Sequence, residues 1–458
     1  MHHRYIGDKA FYRRVFGVAV PIIIQNGITN FVSLLDNIMV GRVGTEQMTG
    51  VSIVNQLIFV FNLAIFGAVS GAGIFGAQFF GSGDDEGVRC AFRFKLIVCA
   101  ILTALGAAIF LLFGDDLIRL YLKGEGDPAQ IEASFGYAKR YLSIMLFGFV
   151  PFVVAQCYSG TLRESNRTVL PMVAGIVGVA VNLVFNTLLI FGHLGFPKLG
   201  SAGAAIATVL AQAVSVLLAV ALLVRKKLPF AITRADFRLN PQCRKFLSIG
   251  LPLALQEFLT QLSFLALCAF VNRLGLTASS GYGVASKIVN FAMLIPSALM
   301  QSMASFVAQN VGAGDQKRAK KSMLTGIGVG LFFGCAVFAL VMLKGDALAG
   351  FFSPDAEVVQ KGFEYLKGFA PETILTAILF SMLGYFNGNN KTLWVMAQGL
   401  IQTLLVRLPF AYVMSIQPNA SLTKIGLAAP VSTLVGVILN VGFYLYLDRK
   451  EKRVQRAD

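Results

Sequence analysis

Charged side chains are scarce in this chain: Asp, Glu, Lys and Arg make up 14% of its 458 residues. A soluble domain carries about 25%, so the chain lacks the polar surface needed to sit in water. Histidine is nearly absent, with His2, His3 and His193 alone, which leaves little for an imidazole metal centre or a catalytic dyad. The six cysteines (Cys90, Cys99, Cys157, Cys243, Cys268 and Cys335) show no CxxC spacing and mostly fall in apolar runs. They read as reduced, buried thiols and offer no disulfide or metal framework. One tryptophan against 39 phenylalanines leaves any interfacial aromatic belt to tyrosine. No GxxxxGK[ST] follows the loops Gly81-Ser82-Gly83-Asp84 and Gly312-Ala313-Gly314-Asp315, so an ATPase is not supported. A glycine closing one helix and an Asp capping the next explain both loops as turns.

What the chain has in place of charge is apolar length: 56% hydrophobic residues and a mean hydropathy of +0.70. Twelve apolar runs, the first at 14–38 and the last at 423–447, are long enough to cross a bilayer. The first follows Arg13-Arg14, is too long for a signal-peptide core and lacks a small-residue cleavage pattern behind it, so it is expected to be retained. The net charge of +16 invites a nucleic-acid reading, but the basic residues gather in alternate loops. Arg225, Lys226, Lys227, Arg234, Arg238, Arg244 and Lys245 follow the sixth run; Lys317, Arg318, Lys320 and Lys321 follow the eighth. Arg449, Lys450, Lys452, Arg453 and Arg456 form the tail. This is the positive-inside pattern. It assigns both termini to the cytoplasm and explains the charge without nucleic acid. Lys287 and Arg407 are the two basic residues assigned to spans.

The chain is also internally repeated. Residues 17–90 align without a gap to 248–321 at an offset of 231, matching Pro21 with Pro252, Gln25 with Gln256, Arg42 with Arg273 and Asp84 with Asp315. At an offset of 224, Tyr141-Leu142 match Tyr365-Leu366, Gly160 matches Gly384, and Asn166 and Thr168 match Asn390 and Thr392. Chance matching of low-diversity helices accounts for Ala and Leu, but not for Pro, Gln, Arg and Gly-x-Gly-Asp in one register. The expected fold is an all-α integral membrane protein with twelve transmembrane helices in two pseudo-symmetric six-helix bundles. Residues 1–225 form one lobe, 226–245 a cytoplasmic linker and 246–458 the other lobe. Six is even, so both halves enter the membrane from the same side. Such parallel repeats suit a secondary transporter that rocks one half against the other.

Ionisable and amide groups inside apolar runs mark candidate sites, because an uncompensated polar group in hydrocarbon is unfavourable. The first span carries Asn26, Asn30, Ser33 and Asn37 on one face, with Gln25, Thr29 and Asp36 beside it. Asn182 and Asn186 lie four apart in the fifth span, and Thr208 falls at similar depth in the sixth. One carboxylate, two amide oxygens and a hydroxyl are a hard-oxygen set able to replace part of the hydration of Na⁺. The carboxylate alone could instead carry H⁺, since burial disfavours its charged form, and asparagines in membrane helices also simply bridge neighbours. In the second half, Gln256, Thr260 and Ser263 share a stripe with Glu257 beside them, and Lys287 lies in the next span. Glu257 and Lys287 could pair or both face a wet cavity, which points to substrate or proton handling together with Gln25, Asn26 and Gln256. Glu372 and Arg407, at similar depth in the tenth and eleventh spans, suggest a structural or gating ion pair. Pro21, Pro151, Pro252 and Pro409 can kink their helices or free backbone carbonyls.

These segments together resemble the multidrug and toxic compound extrusion (MATE) transporters. The resemblance rests on Leu34-Leu35-Asp36-Asn37-Ile38-Met39-Val40-Gly41-Arg42-Val43-Gly44-Thr45, on the two Gly-x-Gly-Asp loops and on Val181-Asn182-Leu183-Val184-Phe185-Asn186. Gly203-Ala204-Ala205-Ile206-Ala207-Thr208 and Arg407-Leu408-Pro409 add to it, and the match runs through essentially the whole chain in order. It implies two six-helix lobes, export of small organic, often cationic, compounds driven by Na⁺ or H⁺, no cofactor, and a cation site formed by Asp36, Asn182, Asn186 and Thr208. It further implies a multi-pass protein of the cell (inner) membrane, and a complete two-lobe unit suits a monomer. Three departures stand out. Val32 replaces an aromatic residue found in some relatives, Asn186 replaces an acid found in some, and Glu257 and Glu372 do not clearly match the acids of sodium-coupled relatives. Two rivals fit less well. A lipid-linked oligosaccharide flippase of the same superfamily favours a large basic cavity and often more spans. An intramembrane enzyme needs a catalytic cluster that the chain does not display.

Overall fold

The computed structural model describes residues 9–122, 128–225 and 243–454. The expected linker therefore lies, over 226–242, outside the described residues, as do His2, His3 and Arg456. Among the described residues the chain is helical throughout, without strands. The N-terminal half gives α1 (Lys9–Gly41), α2 (Thr45–Ser82), α3 (Asp85–Tyr121), α4 (Pro128–Glu164), α5 (Val169–Phe191) and α6 (Ser201–Arg225). The C-terminal half gives α7 (Cys243–Asn272), α8 (Leu276–Ala292), α9 (Leu294–Gly312), α10 (Gln316–Gly350), α11 (Ala356–Phe369) and α12 (Glu372–Gly388). Then follow α13 (Thr392–Leu400), a π-helical turn (Ile401–Arg407), α14 (Leu408–Ile416), α15 (Leu422–Gly426) and α16 (Ala428–Val454). Among these residues eleven helical segments are long and apolar enough to span a bilayer, and the bent pair α11 and α12 makes a twelfth.

The duplication is written into the backbone at matching places. Gly83 and Gly314 both adopt a left-handed φ of 76°, which lets each chain turn out of a helix without a Cβ clash. The next residue then caps the following helix: Asp84 accepts from the Gly87 amide at 2.9 Å, and Asp315 from the Arg318 amide at 2.9 Å. Asn166 and Asn390 share the left-handed region as well, at φ 58° and 59°. Gln25 lies over Gly175, and Gln256 over Gly399, in the same arrangement.

The C-terminal half departs from straight helices where proline intervenes. The expected tenth span, one apolar run in the sequence, is broken at Ala370-Pro371 into α11 and α12, inclined at 48°. Proline brings no amide hydrogen, so a helix running through Pro371 lacks a backbone donor there. The eleventh span opens into the π-helical turn just before Pro409, which occupies the first turn of α14.

Contacts divide the chain into two compact units: Phe16–Ala254, and a second running from Leu255 onward with the start of α1. The N-terminal unit centres on buried aliphatic and aromatic residues of α2, α3 and α4, including Ile65, Phe92 and Leu162, with Phe61 stacked on Phe149 at 4.2 Å. Its α2 meets the first turns of α7 backbone to backbone. A Cβ on Gly71 would stand 2.5 Å from the Gly250 Cα. The C-terminal unit has one core around Tyr282, Tyr365 and Leu366, and another around Phe386 and Leu379.

One polar feature of the N-terminal unit revises the sequence reading. Lys95 belongs with the intramembrane basic residues: its side chain is wholly buried in α3, with the ammonium 2.5 and 2.6 Å from the two carboxylate oxygens of Glu164. It also donates to the Thr161 hydroxyl at 3.1 Å. Gly73 and Gly76 make room for this pair, since a Cβ on either would stand 2.5–2.6 Å from a Glu164 oxygen. Lys95→Met should destabilise the protein by about 3–5 kcal/mol, because it leaves the carboxylate without its ammonium partner. Lys95→Met combined with Glu164→Met should recover most of that loss, as read by thermal unfolding in detergent.

Candidate functional site

The residues grouped from the first, fifth and sixth spans converge inside the N-terminal unit. Helices α5 and α6 form a tight antiparallel pair. Gly203 sets the α6 backbone against Leu189 and Ile190 of α5, and Gly178 of α5 lies against Ser215 and Ala211 of α6. Ser215 then donates to the Ala174 carbonyl at 2.6 Å. This close approach turns Asn182 and Asn186, one helical turn apart, toward Thr208.

The side chains form a single hydrogen-bonded run. Asn186 Nδ2 donates to Asp36 Oδ1 at 2.5 Å and to Asn182 Oδ1 at 3.0 Å. Asn182 Nδ2 donates to Thr208 Oγ1 at 3.3 Å, and the Thr208 hydroxyl donates to the Ala204 carbonyl at 2.9 Å. Asn186 is fully buried, and its Oδ1 has no hydrogen-bond partner among the described residues. An amide oxygen left over in this way is an acceptor without a donor, as a hard-cation ligand would be.

Asp36 opens onto a cavity of about 440 Å³ within the same unit. Its walls combine aromatic faces (Phe59, Phe149, Phe152 and Tyr141) with neutral polar groups, among them Asn37, Asn55, Asn62, Thr208 and Gln212. Asp36 is the single charged side chain among the lining residues. Asn55, Asn62, Tyr141 and Gln212 were not singled out from the sequence. Gln212 had a legible signal, standing four residues after Thr208 and so on the same face of α6. Its Oε1 is buried without a hydrogen-bond partner among the described residues. Among the described residues no group of three or more His, Cys, Asp or Glu side chains could hold a metal ion, so a cation here would rely on the amide and hydroxyl oxygens around one carboxylate.

The other candidates have their own partners within each unit. Gln25 Oε1 accepts from Arg163 Nη2 at 3.0 Å, and the Asn26 carbonyl accepts from Asn30. The Gln256 carbonyl accepts from Thr260, and Glu257 accepts from Gln261 Nε2 at 3.0 Å on its own helix. The Lys287 ammonium lies 5.7 Å from the centre of the Phe352 ring. Among the described residues Glu257 and Lys287 thus find separate partners and form no ion pair. Glu372 and Arg407 do approach, with Arg407 Nη2 3.9 Å from Glu372 Oε1, both side chains nearly buried.

Each asparagine takes part in two side-chain hydrogen bonds at the site, but Asn186 alone bonds a carboxylate, and the bond Asn182 donates is the longest of the run. Asn186→Ala should therefore lower stability by about 1.5–3 kcal/mol and Asn182→Ala by less, compared by thermal unfolding of the purified protein.

The MatE family model matches residues 21–188 and 252–413, one match in each half. The probable multidrug resistance protein YoeA of Bacillus subtilis is 25% identical over 443 residues, covering 94% of this chain and 93% of that protein. An FAD transporter of Shewanella oneidensis is 26% identical over 331 residues, 72% of this chain and 71% of that one. The backbone matches an outward-facing multidrug resistance MATE family transporter of the MOP superfamily with a TM-score of 0.88 at 21% identity, covering 98% of this chain and 97% of the other.

Proposed function

Because the chain belongs to the MatE family, a family of membrane transporters, we propose that it exports small organic cations from the cell by alternating access, in exchange for Na⁺ or H⁺. The observation that carries this reading is Asp36, a lone carboxylate in a 440 Å³ cavity whose other lining residues are neutral. A carboxylate drawn away from water needs a counter-charge, and no basic side chain lines this cavity to supply it. The counter-charge therefore comes from outside as a metal cation, a proton or a cationic substrate.

The chemistry of the walls supports a cationic cargo over an anionic one. Phe59, Phe149, Phe152 and Tyr141 offer aromatic faces of the kind that attract a desolvated cation, and the amides supply both donors and acceptors. Coupling follows from competition at one carboxylate. A coupling ion on Asp36 and a cargo cation nearby each lower the other's affinity, and each favours the state of the transporter that binds it more tightly. Release of cargo on one side of the membrane then accompanies uptake of the ion, and the return step carries the ion inward. Asn186 and Thr208 hold the oxygen set in place, and the Asn186 Oδ1 acceptor is available to Na⁺.

We further assign the protein to the cell (inner) membrane with both termini cytoplasmic. The basic residues at the start of α10 and the end of α16 support that orientation. A separate hydrophobic core in each unit supports a monomer as the working form.

Asp36→Asn keeps the shape of the side chain and removes its charge. In proteoliposomes with separately imposed Na⁺ and H⁺ gradients and a panel of cationic dyes, this variant should fold yet lose gradient-driven efflux by about tenfold or more, equivalent to about 1.4 kcal/mol of coupling. Undiminished coupled transport would overturn the reading.

A further inference from the structure

The C-terminal unit buries a carboxylate as well, and treats it differently. Glu372, in the first turn of α12, is 5% exposed and accepts from the Thr433 hydroxyl of α16 at 2.8 Å. Arg407, at the end of the π-helical turn, is 9% exposed; its Nη2 stands 3.9 Å from the same Glu372 oxygen. Arg407 Nε donates to Ser432 at 3.3 Å, and the guanidinium sits 5.5 Å from the centre of the Phe264 ring. Gln402 bonds Thr433 at 3.0 Å and Gln398 bonds Gln402 at 2.6 Å, so the acid and the guanidinium sit at the end of a run of neutral hydrogen bonds.

The repeat connects this arrangement to the Asp36 site. At the offset of 224, Thr208 of the N-terminal half corresponds to Ser432. Thr208 receives Asn182 at 3.3 Å, and Ser432 receives Arg407 at 3.3 Å. In straight register Asn182 corresponds to Val406. The π-helical turn is wider by one residue per turn, and it is Arg407 that reaches the hydroxyl. The same offset sets Gly148, in the wall of the N-terminal cavity, opposite Glu372, and Gln212 opposite Gly436. A Cβ on Gly436 would meet Gln402 and Gln398 at 2.5–2.6 Å, so this glycine makes the room that the C-terminal network fills.

We propose that Arg407 is a tethered counter-cation, standing in the C-terminal unit where an exchangeable coupling ion stands in the N-terminal one. Glu372 is neutralised by a charge that cannot leave, so each cycle exchanges its coupling ion at Asp36 alone. The inference rests on the reading of Asp36 as the exchangeable site. Among the described residues, Tyr365 of α11 lies within electrostatic reach of both members of the pair and Tyr282 of α8 within reach of Arg407; both phenols are uncharged at neutral pH.

The test is the thermal midpoint of the full chain in detergent. It is followed with NaCl exchanged for choline chloride at constant ionic strength, and separately across pH, in an Asp36→Asn background that silences the first site. Asp36→Asn alone should be indifferent to Na⁺, and adding Glu372→Gln should change neither its Na⁺ nor its pH response. Arg407→Gln in that background should create a cation site: the midpoint should rise by roughly 5 °C with saturating Na⁺ or with falling pH. Glu372→Gln should abolish that gain, and Arg407→Lys, which keeps the charge, should not show it. The proposal is overturned if Asp36→Asn retains an ion response that Glu372→Gln removes, or if Arg407→Gln folds and gains none. A wild-type midpoint indifferent to both ions would instead count against the Asp36 reading, while a Glu372-dependent response in Arg407→Gln would still stand.

Discussion

A carboxylate held away from water must share its charge with a donor or a cation, and two buried acids and one half-buried acid of this chain meet that demand in different ways. Glu164 is closed off by the Lys95 ammonium at 2.5 Å, with the Thr161 hydroxyl on the same nitrogen. Glu372 is matched by a guanidinium at the looser distance of 3.9 Å and steadied by Thr433. Asp36 has a neutral amide donor and a cavity. Around each acid the helices are arranged to fit: glycines where Glu164 needs volume, a π-helical turn where Arg407 needs reach, and a glycine-lined α5–α6 contact where two asparagines need a partner.

The duplication therefore preserves backbone devices more faithfully than chemistry. Left-handed glycines, Asp caps and left-handed asparagines recur in both halves with nearly the same dihedral angles, because they solve a problem of chain direction that both halves share. The side chains inside the bundles answer to charge, and there the halves diverge. A tight ion pair and an open acid sit in one unit, and an acid facing a guanidinium on a π-helical turn sits in the other.

Much of this was legible in the sequence where a residue type has few alternative uses. Gly-x-Gly-Asp predicted two turns with their caps, and both formed as expected. Asp36, Asn182, Asn186 and Thr208 could be grouped because amides and a carboxylate in apolar helices have few places to go, and the structure brings the four into one hydrogen-bonded run. Lys95 does not read as intramembrane, because its run begins at the edge of a basic loop, where a lysine ordinarily reaches back to water. Its partner is 69 positions away, which no local period reports. The break before Glu372 was similarly hidden, since an apolar run reads as one span whether or not Pro371 interrupts it. Asn55 and Asn62 line the cavity through the packing of α2, and packing is what a single helix pattern omits.

Gly73 and Gly76 also constrain how this molecule can change. The space they leave is filled by the carboxylate of residue 164, so a side chain on either would have to push that carboxylate aside. The C-terminal half holds the completed exchange. Ala304 and Val307 stand at the corresponding positions of the ninth helix, Gly388 replaces the glutamate and Gly326 the lysine, and a Cβ on Gly388 would now collide with Val307 at 2.7 Å. Volume removed from one helix reappears on its neighbour. A side chain at residue 76 and a carboxylate at residue 164 thus compete for one volume, so what either position tolerates depends on what the other holds.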